Sequence, residues 1–295
     1  MTTPFDYDAM TTRNIGFLTP DEQAALRRTR VFVCGTGGMG GACLQSIVRA
    51  GVERLIIADM DSFELSNLNR QVFAALADVG HDKADVTRRK LLDINPQLQL
   101  EVHGAEWVDH LDQILADCKI IVNGMDDVAA GIHLYRKARE HGATVIDAYS
   151  APLPSVTVVA PSSPRPEERL EFGTAHLHWR QIDKHHVDRC KLQEMLYVAV
   201  NSSSIHHFKM QYAAEVFAGK RSRPSLAPMV ITTGNLMAFE VLRLMTGRAA
   251  STDCRGYFFN PWDQRVERPR RGLSRIVANW YARRRLASLM HEGGE

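Results

Sequence analysis

Residues 30–71 read RVFVCGTGGMGGACLQSIVRAGVERLIIADMDSFELSNLNRQ. They spell a strand, a glycine turn, a helix, a second strand, and a loop that passes from acidic to basic. Val31–Cys34 is a continuous apolar run, the pattern of a strand buried on both faces of a parallel sheet. Gly35, Gly37, Gly38 and Gly40 follow where that strand ends, and a helix over Met39–Ala50 is closed by Gly51. Such a turn brings backbone N–H groups and a helix N-terminus against a phosphate. Leu55–Ala58 is the second strand, Asp59 closes it, and Asp61 and Ser66–Gln71 (SNLNRQ) come next. An acid at the end of the second strand also suits the ribose of a dinucleotide dehydrogenase. Hydride transfer, however, makes no use of an Asn and an Arg in the following loop. Nucleotidyl transfer does, because charge builds up on a phosphate.

The same alternation continues on both sides. Pro20–Arg27 forms a short helix that Thr19 can cap. Lys83–Ile94 is an amphipathic helix stopped by Asn95-Pro96, and Leu98–Val102 alternates as a third strand. A short helix is expected over Val108–Leu115, a strand over Lys119–Asn123, a helix over Val128–His141, and strands over Thr144–Asp147 and Ser155–Val159. Strands and helices at this pitch imply an α/β fold with a doubly wound, mainly parallel Rossmann-like sheet. Ligands of such sheets lie outside the carboxyl ends of the strands. Gly35–Gly40, Asp59 and Asp126 all follow strand ends, so three motifs converge on one edge.

After Val159 the pattern breaks. Pro161–Arg169 is proline-rich and polar, and Phe172–Lys191 has no clear period. Leu192–Val200 and Ser204–Phe217 can form helices, and Ser222–Pro228 is a loop bounded by prolines. Thr233–Thr246 carries apolar residues three and four apart and ends at Gly247. Gly256–Asn260 and Gln264–Glu267 suit a terminal hairpin, giving antiparallel strands at the C-terminal side of the sheet. The expected organisation is an N-terminal arm and helix (1–29), a Rossmann-like domain (30–160), a crossing loop with a helical insertion (161–227), the C-terminal part of the domain (228–269) and a basic helical tail (270–295).

These motifs together resemble the ThiF/MoeB/HesA superfamily, the ubiquitin-activating-enzyme-like adenylyltransferases. The matching residues are the turn Gly35–Gly40, Asp59 and Asp61, Asn67-Leu-Asn-Arg70-Gln71, Lys83 in VGHDKAD, Asp126 in VNGMDD and the helix NLMAFEVLRLMTG. Arg13-Asn14, ahead of the first strand, matches the family's N-terminal arginine motif. The resemblance runs from about Arg13 to about Pro261 and is weakest over 162–226. It implies ATP-dependent activation of a C-terminal carboxylate, on a small ubiquitin-like sulfur carrier or a precursor peptide, to give an acyl-adenylate and pyrophosphate.

The resemblance also implies roles. Gly35, Gly37, Gly38 and Gly40 would approach the phosphates, and Asp59 would accept from the ribose hydroxyls. Asp61 would contact the nucleotide or organise its loop. Asn67, Arg70 and Lys83 would face the phosphates, Arg70 as a planar fork and Lys83 as a point charge, with Gln71 behind them. Asp126 would hold Mg²⁺, which prefers carboxylate and phosphate oxygens, while Asp127 is either a second ligand or, the favoured reading, the cap of the next helix. Arg13 would reach the partner's site in a homodimer.

Cys190, flanked by Arg189 and Lys191, is a possible transfer nucleophile, since cationic neighbours lower a thiol pKa; an ordinary helix cysteine is the plainer reading. The chain has no CxxC pair, so zinc held in that way is excluded. The histidines from His176 to His186 match no metal signature. A cyclising dehydratase acting on tRNA, a NAD-dependent oxidoreductase and an inactive scaffold subunit are the competing readings.

The 295 residues carry a formal net charge of +2, too little for a strong field towards nucleic acid. The five cysteines are scattered, as expected of reduced intracellular thiols. The N-terminus has acids and no apolar run, so a soluble, cytoplasmic protein is expected. The basic tail from Arg270 suits a helix packed on the domain through Leu273, Ile276, Trp280 and Leu286.

Overall fold

The structure is a computed structural model that describes residues 4–207, 212, 221–270, 272, 276–278, 280, 282 and 284. An arm of two helices, α1 (Tyr7–Thr11) and α2 (Pro20–Arg28), precedes β1 (Arg30–Cys34). Thr19 caps α2 in a capping box with Glu22. Then come α3 (Gly38–Arg49), β2 (Arg54–Ala58), α4 (Lys83–Ile94), β3 (Gln99–His103), α5 (Leu111–Asp117), β4 (Ile120–Asn123), α6 (Val128–Glu140), β5 (Thr144–Asp147) and β6 (Ser155–Val159). The insertion supplies α7 (Pro166–Arg169) and α8 (Lys184–Asn201), and α9 (Ala227–Met245), β7 (Tyr257–Asn260) and β8 (Arg265–Glu267) complete the order.

The strands form one eight-stranded sheet in the order β3-β2-β1-β4-β5-β6-β7-β8. The first five are parallel, and the pairings from β5 to β8 are antiparallel. Cys34 stands opposite Ala58 on one side and Asn123 on the other. The carboxyl ends of β1, β2 and β4 are therefore level, and the chain changes direction across the sheet at β1 and β4. An open α/β sheet binds its ligands at such a switch point.

Val31, Phe32, Val33 and Cys34 are fully buried, as their apolar run requires. Val31 and Val33 pack with Cys43, Ile47, Met237 and Val241 under α3 and α9, while Phe32 and Cys34 pack with Trp107, Leu115, Leu134 and Tyr135 under α5 and α6. Each such side chain contributes about 1.5–3 kcal/mol by leaving water. Gly234 lets α9 lie close on α3, since a Cβ there would sit 2.5 Å from the Met39 carbonyl oxygen.

Several boundaries differ from expectation. The helix placed at Val108–Leu115 is a tight turn at Ala105–Val108 followed by α5. α8 starts at Lys184 rather than Leu192, because Asp183 caps it by accepting from the His186 N–H. Its buried residues, Cys190, Leu196, Val198 and Val200, form no stripe, so periodicity could not reveal its first half. α9 begins at Ala227 and takes Pro228 into its first turn, where a missing N–H costs nothing. Ser204–His206 is a single tight turn, and most of the helix expected over Ser204–Phe217 lies outside the described residues. Ile276 and Trp280, expected to pack, are exposed; Leu273 and Leu286 lie outside the described residues. Among the described residues no helix is long and apolar enough to cross a membrane.

Candidate active site

Three strand ends are stitched together by backbone. Gly35 N–H donates to the Ala58 carbonyl at 2.7 Å, and Gly124 N–H donates to the Cys34 carbonyl at 2.7 Å. Gly35 has a φ of +84°, open to glycine at little cost. A Cβ on Gly40 would lie 1.8 Å from the Gly35 oxygen, and one on Gly38 would lie 2.5 Å from Val230 Cγ1 of α9. Gly35, Gly38 and Gly40 thus serve close internal packing, and Gly37, at the cap of α3, faces the Gln71 amide.

Asp59 is buried and clamps the turn. Its Oδ2 accepts from Thr36 N–H at 2.7 Å and from the Thr36 hydroxyl at 3.0 Å, and its Oδ1 accepts from Asp61 N–H at 3.0 Å. A carboxylate has about four acceptor positions, so room for one further donor remains. Asp61 ion-pairs with Lys83 Nζ at 2.8 Å, and its carbonyl accepts from Lys83 N–H at 2.9 Å. Lys83 is itself buried. Asp61 thus organises the loop and steers Lys83, and its side chain, still largely exposed, leaves contact with a nucleotide open as well.

The loop between β2 and α4 is built around Asn67. Its side-chain oxygen accepts from Glu64 N–H at 3.1 Å, and its carbonyl accepts from Arg70 and Gln71 N–H. Asn67 is buried and its side-chain oxygen is committed to the loop. Arg70 donates through one terminal nitrogen, Nη1, to Ser66 O at 3.0 Å and Asn69 Oδ1 at 2.9 Å. Its stem lies beside Gly38. Gln71 is buried against Gly37, and no donor among the described residues reaches its Oε1. That orphaned acceptor is the kind of group a hydroxyl-bearing ligand satisfies.

Asp127 caps α6 by accepting from Ala130 N–H at 3.0 Å. Asp126 is exposed, and no hydrogen bond or ion pair among the described residues occupies it. No group of three or more His, Cys, Asp or Glu is gathered for a metal among the described residues. A lone carboxylate still fits Mg²⁺, which usually takes one or two protein carboxylates and completes its shell with water and substrate phosphates.

Sequence reasoning passed over one element at this edge. Asp147 ends β5 beside Asn123 and accepts from Tyr135 OH at 2.5 Å, Asn123 Nδ2 at 2.9 Å and Ala148 N–H at 2.6 Å. Enclosure of its carboxyl raises the pKa, with those three hydrogen bonds opposing. The signal was present, an acid closing a parallel strand as Asp59 does, but no motif accompanied it.

Two expected residues lie elsewhere. Arg13 is exposed on a tight turn whose neighbour Asn14 donates to Gln23 at 2.9 Å and to the Ala50 carbonyl at 3.0 Å. It thus sits at the far end of the 12-residue α3 from the glycine turn, a span of about 18 Å at 1.5 Å per residue. Cys190 is buried among Ile132, Leu170, Phe172 and Ile182, and its thiol pKa is pushed up to about 11 by burial. That is the opposite of an activated nucleophile. The thiol should resist iodoacetamide at pH 7 in the folded protein, and Cys190→Ala should keep adenylate formation; rapid native-state alkylation, or loss of pyrophosphate exchange in a folded variant, would contradict this.

A model of the ThiF family matches residues 11–275. Similar proteins include the sulfur carrier protein adenylyltransferase of Thermus thermophilus, 37% identical over 109 residues, which are 37% of this chain and 40% of that protein. The molybdopterin-synthase adenylyltransferase of Escherichia coli is 36% identical over 110 residues, 37% of this chain and 44% of its own. The tRNA threonylcarbamoyladenosine dehydratase of Bacillus subtilis is 27% identical over 128 residues, 43% and 50% respectively. The match thus spans half or less of each relative. Among solved structures, Escherichia coli MccB with ATP superposes with a TM-score of 0.62 at 17% identity, over 92% of this chain and 75% of that one. PaaA gives 0.60 at 19%, over 91% and 76%. These two likenesses show the fold.

Proposed function

The chain belongs to the ThiF family, and from that premise we propose that it is an ATP-dependent adenylyltransferase acting on the C-terminal carboxylate of a small carrier protein or peptide. The observation that carries the reading is a glycine turn at the β1/β4 switch point with the Arg70 stem beside its Gly38, and it is supported by the Lys83–Asp61 pair in the segment after β2 and the exposed Asp126 in the segment after β4. Two cations and an exposed carboxylate are the equipment for holding a metal–triphosphate, and hydride transfer has no use for it. The name of the Thermus thermophilus relative supports a sulfur carrier protein as the acceptor class, and that of the Escherichia coli relative supports a protein acceptor.

In this mechanism the acceptor carboxylate oxygen attacks the α-phosphorus. An O–P bond forms, the bond between the α-phosphorus and the bridging oxygen breaks, and pyrophosphate leaves with the electron pair. The substrates meet two like charges, so cancelling charge and fixing the line of attack are most of the catalysis. Arg70 has donors beyond Nη1 to present as a fork to phosphate oxygens. Lys83 exchanges its Asp61 partner for a phosphate or shares it. Asp126 would hold Mg²⁺, which supplies neutralisation of the triphosphate when bound. The remaining position on Asp59 and the free Gln71 oxygen suit the nucleoside hydroxyls.

A second reading starts with the same step. The Bacillus subtilis relative is named a tRNA dehydratase, and a carboxylate on modified tRNA could be activated at the same residues. Pyrophosphate exchange separates them. We expect exchange in the presence of a peptide ending in a free carboxylate. Exchange with tRNA and none with any peptide or carrier protein would move the assignment to the second reading.

A further inference from the structure

We propose that Asp147 is a positioning residue for the turn that carries Asp126, acting through Asn123. The chain of contacts is short. Asp147 Oδ2 accepts from Tyr135 OH at 2.5 Å and from Asn123 Nδ2 at 2.9 Å. With its nitrogen committed to Asp147, the Asn123 amide must present its oxygen to the other side. There it accepts from Met125 N–H at 3.3 Å. Met125 immediately precedes Asp126, and Asp127 behind it is fixed as the cap of α6. Asp126 is thus held from both sides, by Asn123 through Met125 and by the Asp127 cap.

An Asn side chain alone would not do this, because its two ends are nearly the same size and can exchange by rotation. Turned the other way, the amide would set its own N–H₂ against the Met125 N–H, donor against donor, and leave a buried group unpaired. Asp147 offers only acceptors to Asn123, so it selects one orientation. Tyr135 and the Ala148 N–H in turn fix Asp147 itself. The carboxylate therefore acts on the site without reaching it, as the outer partners of metal ligands do.

The adenylation reading enters only in what Asp126 does, not in how its turn is held, and the test separates the two. Asp147→Ala and Asn123→Ala are compared with the exchanged pair N123D/D147N, in which a carboxylate at 123 accepts from both Met125 N–H and the new amide at 147. Hydrogen exchange of the Met125 amide is measured in ligand-free protein, and the Mg²⁺ concentration needed for ATP binding is measured by calorimetry. Each alanine variant should speed Met125 exchange and raise the Mg²⁺ requirement by about 10- to 100-fold, the usual effect of losing such a partner. The exchanged pair should return both towards wild type. A folded alanine variant with wild-type Met125 exchange and Mg²⁺ requirement overturns the proposal, as does an exchanged pair no better than Asp147→Ala. Should Asp147→Ala fail to fold, Asn123→Ala and the exchanged pair decide. If wild type binds no Mg²⁺–ATP, the adenylation reading fails, and Met125 exchange still tests the positioning.

Discussion

Asp126→Ala should abolish measurable adenylate formation while leaving the fold intact. The side chain is exposed and carries no hydrogen bond or ion pair among the described residues, so its removal should change stability by no more than about 0.5 kcal/mol. Its proposed work lies in the transition state, where the metal–triphosphate must be held while charge shifts to the leaving pyrophosphate. Losing one such electrostatic group costs on the order of 3–4 kcal/mol of barrier, or roughly 100- to 1,000-fold in rate. Pyrophosphate exchange measures the rate, and thermal unfolding checks the fold. Asp127→Ala should behave differently. That carboxylate caps α6, so its loss should cost about 1 kcal/mol of stability with much less effect on rate. Near-normal exchange by Asp126→Ala would mean another residue holds the metal.

Arg13→Ala should also be inactive, and activity should return when it is mixed with Asp126→Ala. The arm is tied to the C-terminal end of α3 by Asn14 and by Tyr7, whose hydroxyl donates to the Gly51 carbonyl at 2.7 Å. From there Arg13 cannot serve the glycine turn at the other end of the same helix. A second copy can bring it in, and a guanidinium added from outside stabilises charge at phosphate without crowding the turn. In the proposed homodimer each variant on its own would lack a required group at both sites. A mixed dimer regains one site with its own Asp126 and the partner's Arg13, so recovery after subunit exchange supports action in trans. No recovery, with exchange verified by native mass spectrometry, would mean that Arg13 acts within its own chain or not at all.

Much of the fold was legible because the elements around the site obey local rules. β5 and β6 coincide with their apolar runs, and α4 runs from Lys83 to Ile94 between its Asp82 cap and Asn95-Pro96. The glycine turn, Asp59 and Asp126 fall at one edge because parallel strands place their following loops there. What was not legible depends on partners far away in sequence. The family resemblance places Asn67 towards the phosphates with Gln71 behind it, but no motif spells out the loop's internal bonds, in which Asn67 accepts from Glu64 N–H and Gln71 packs against Gly37. The Lys83–Asp61 pair arises because the stretches around Phe63 and His81 zip together through backbone hydrogen bonds. Cys190 carries cationic neighbours in sequence, yet α8 turns its thiol into a cluster shared by the insertion and α6. The network at Asp147 needs strand order as well as sequence, since only pairing of β4 with β5 brings Asn123 beside it.

The most direct measurement is calorimetric titration of the ligand-free protein with Mg²⁺–ATP and, separately, with NAD. The glycine turn and Asp59 are compatible with either nucleotide, so the discrimination rests on Arg70, Lys83 and Asp126. Mg²⁺–ATP should bind, and its affinity should fall when Mg²⁺ is chelated or Asp126 is replaced; NAD should bind weakly or not at all. Binding of NAD tighter than Mg²⁺–ATP would contradict the assignment of this edge to adenylate chemistry.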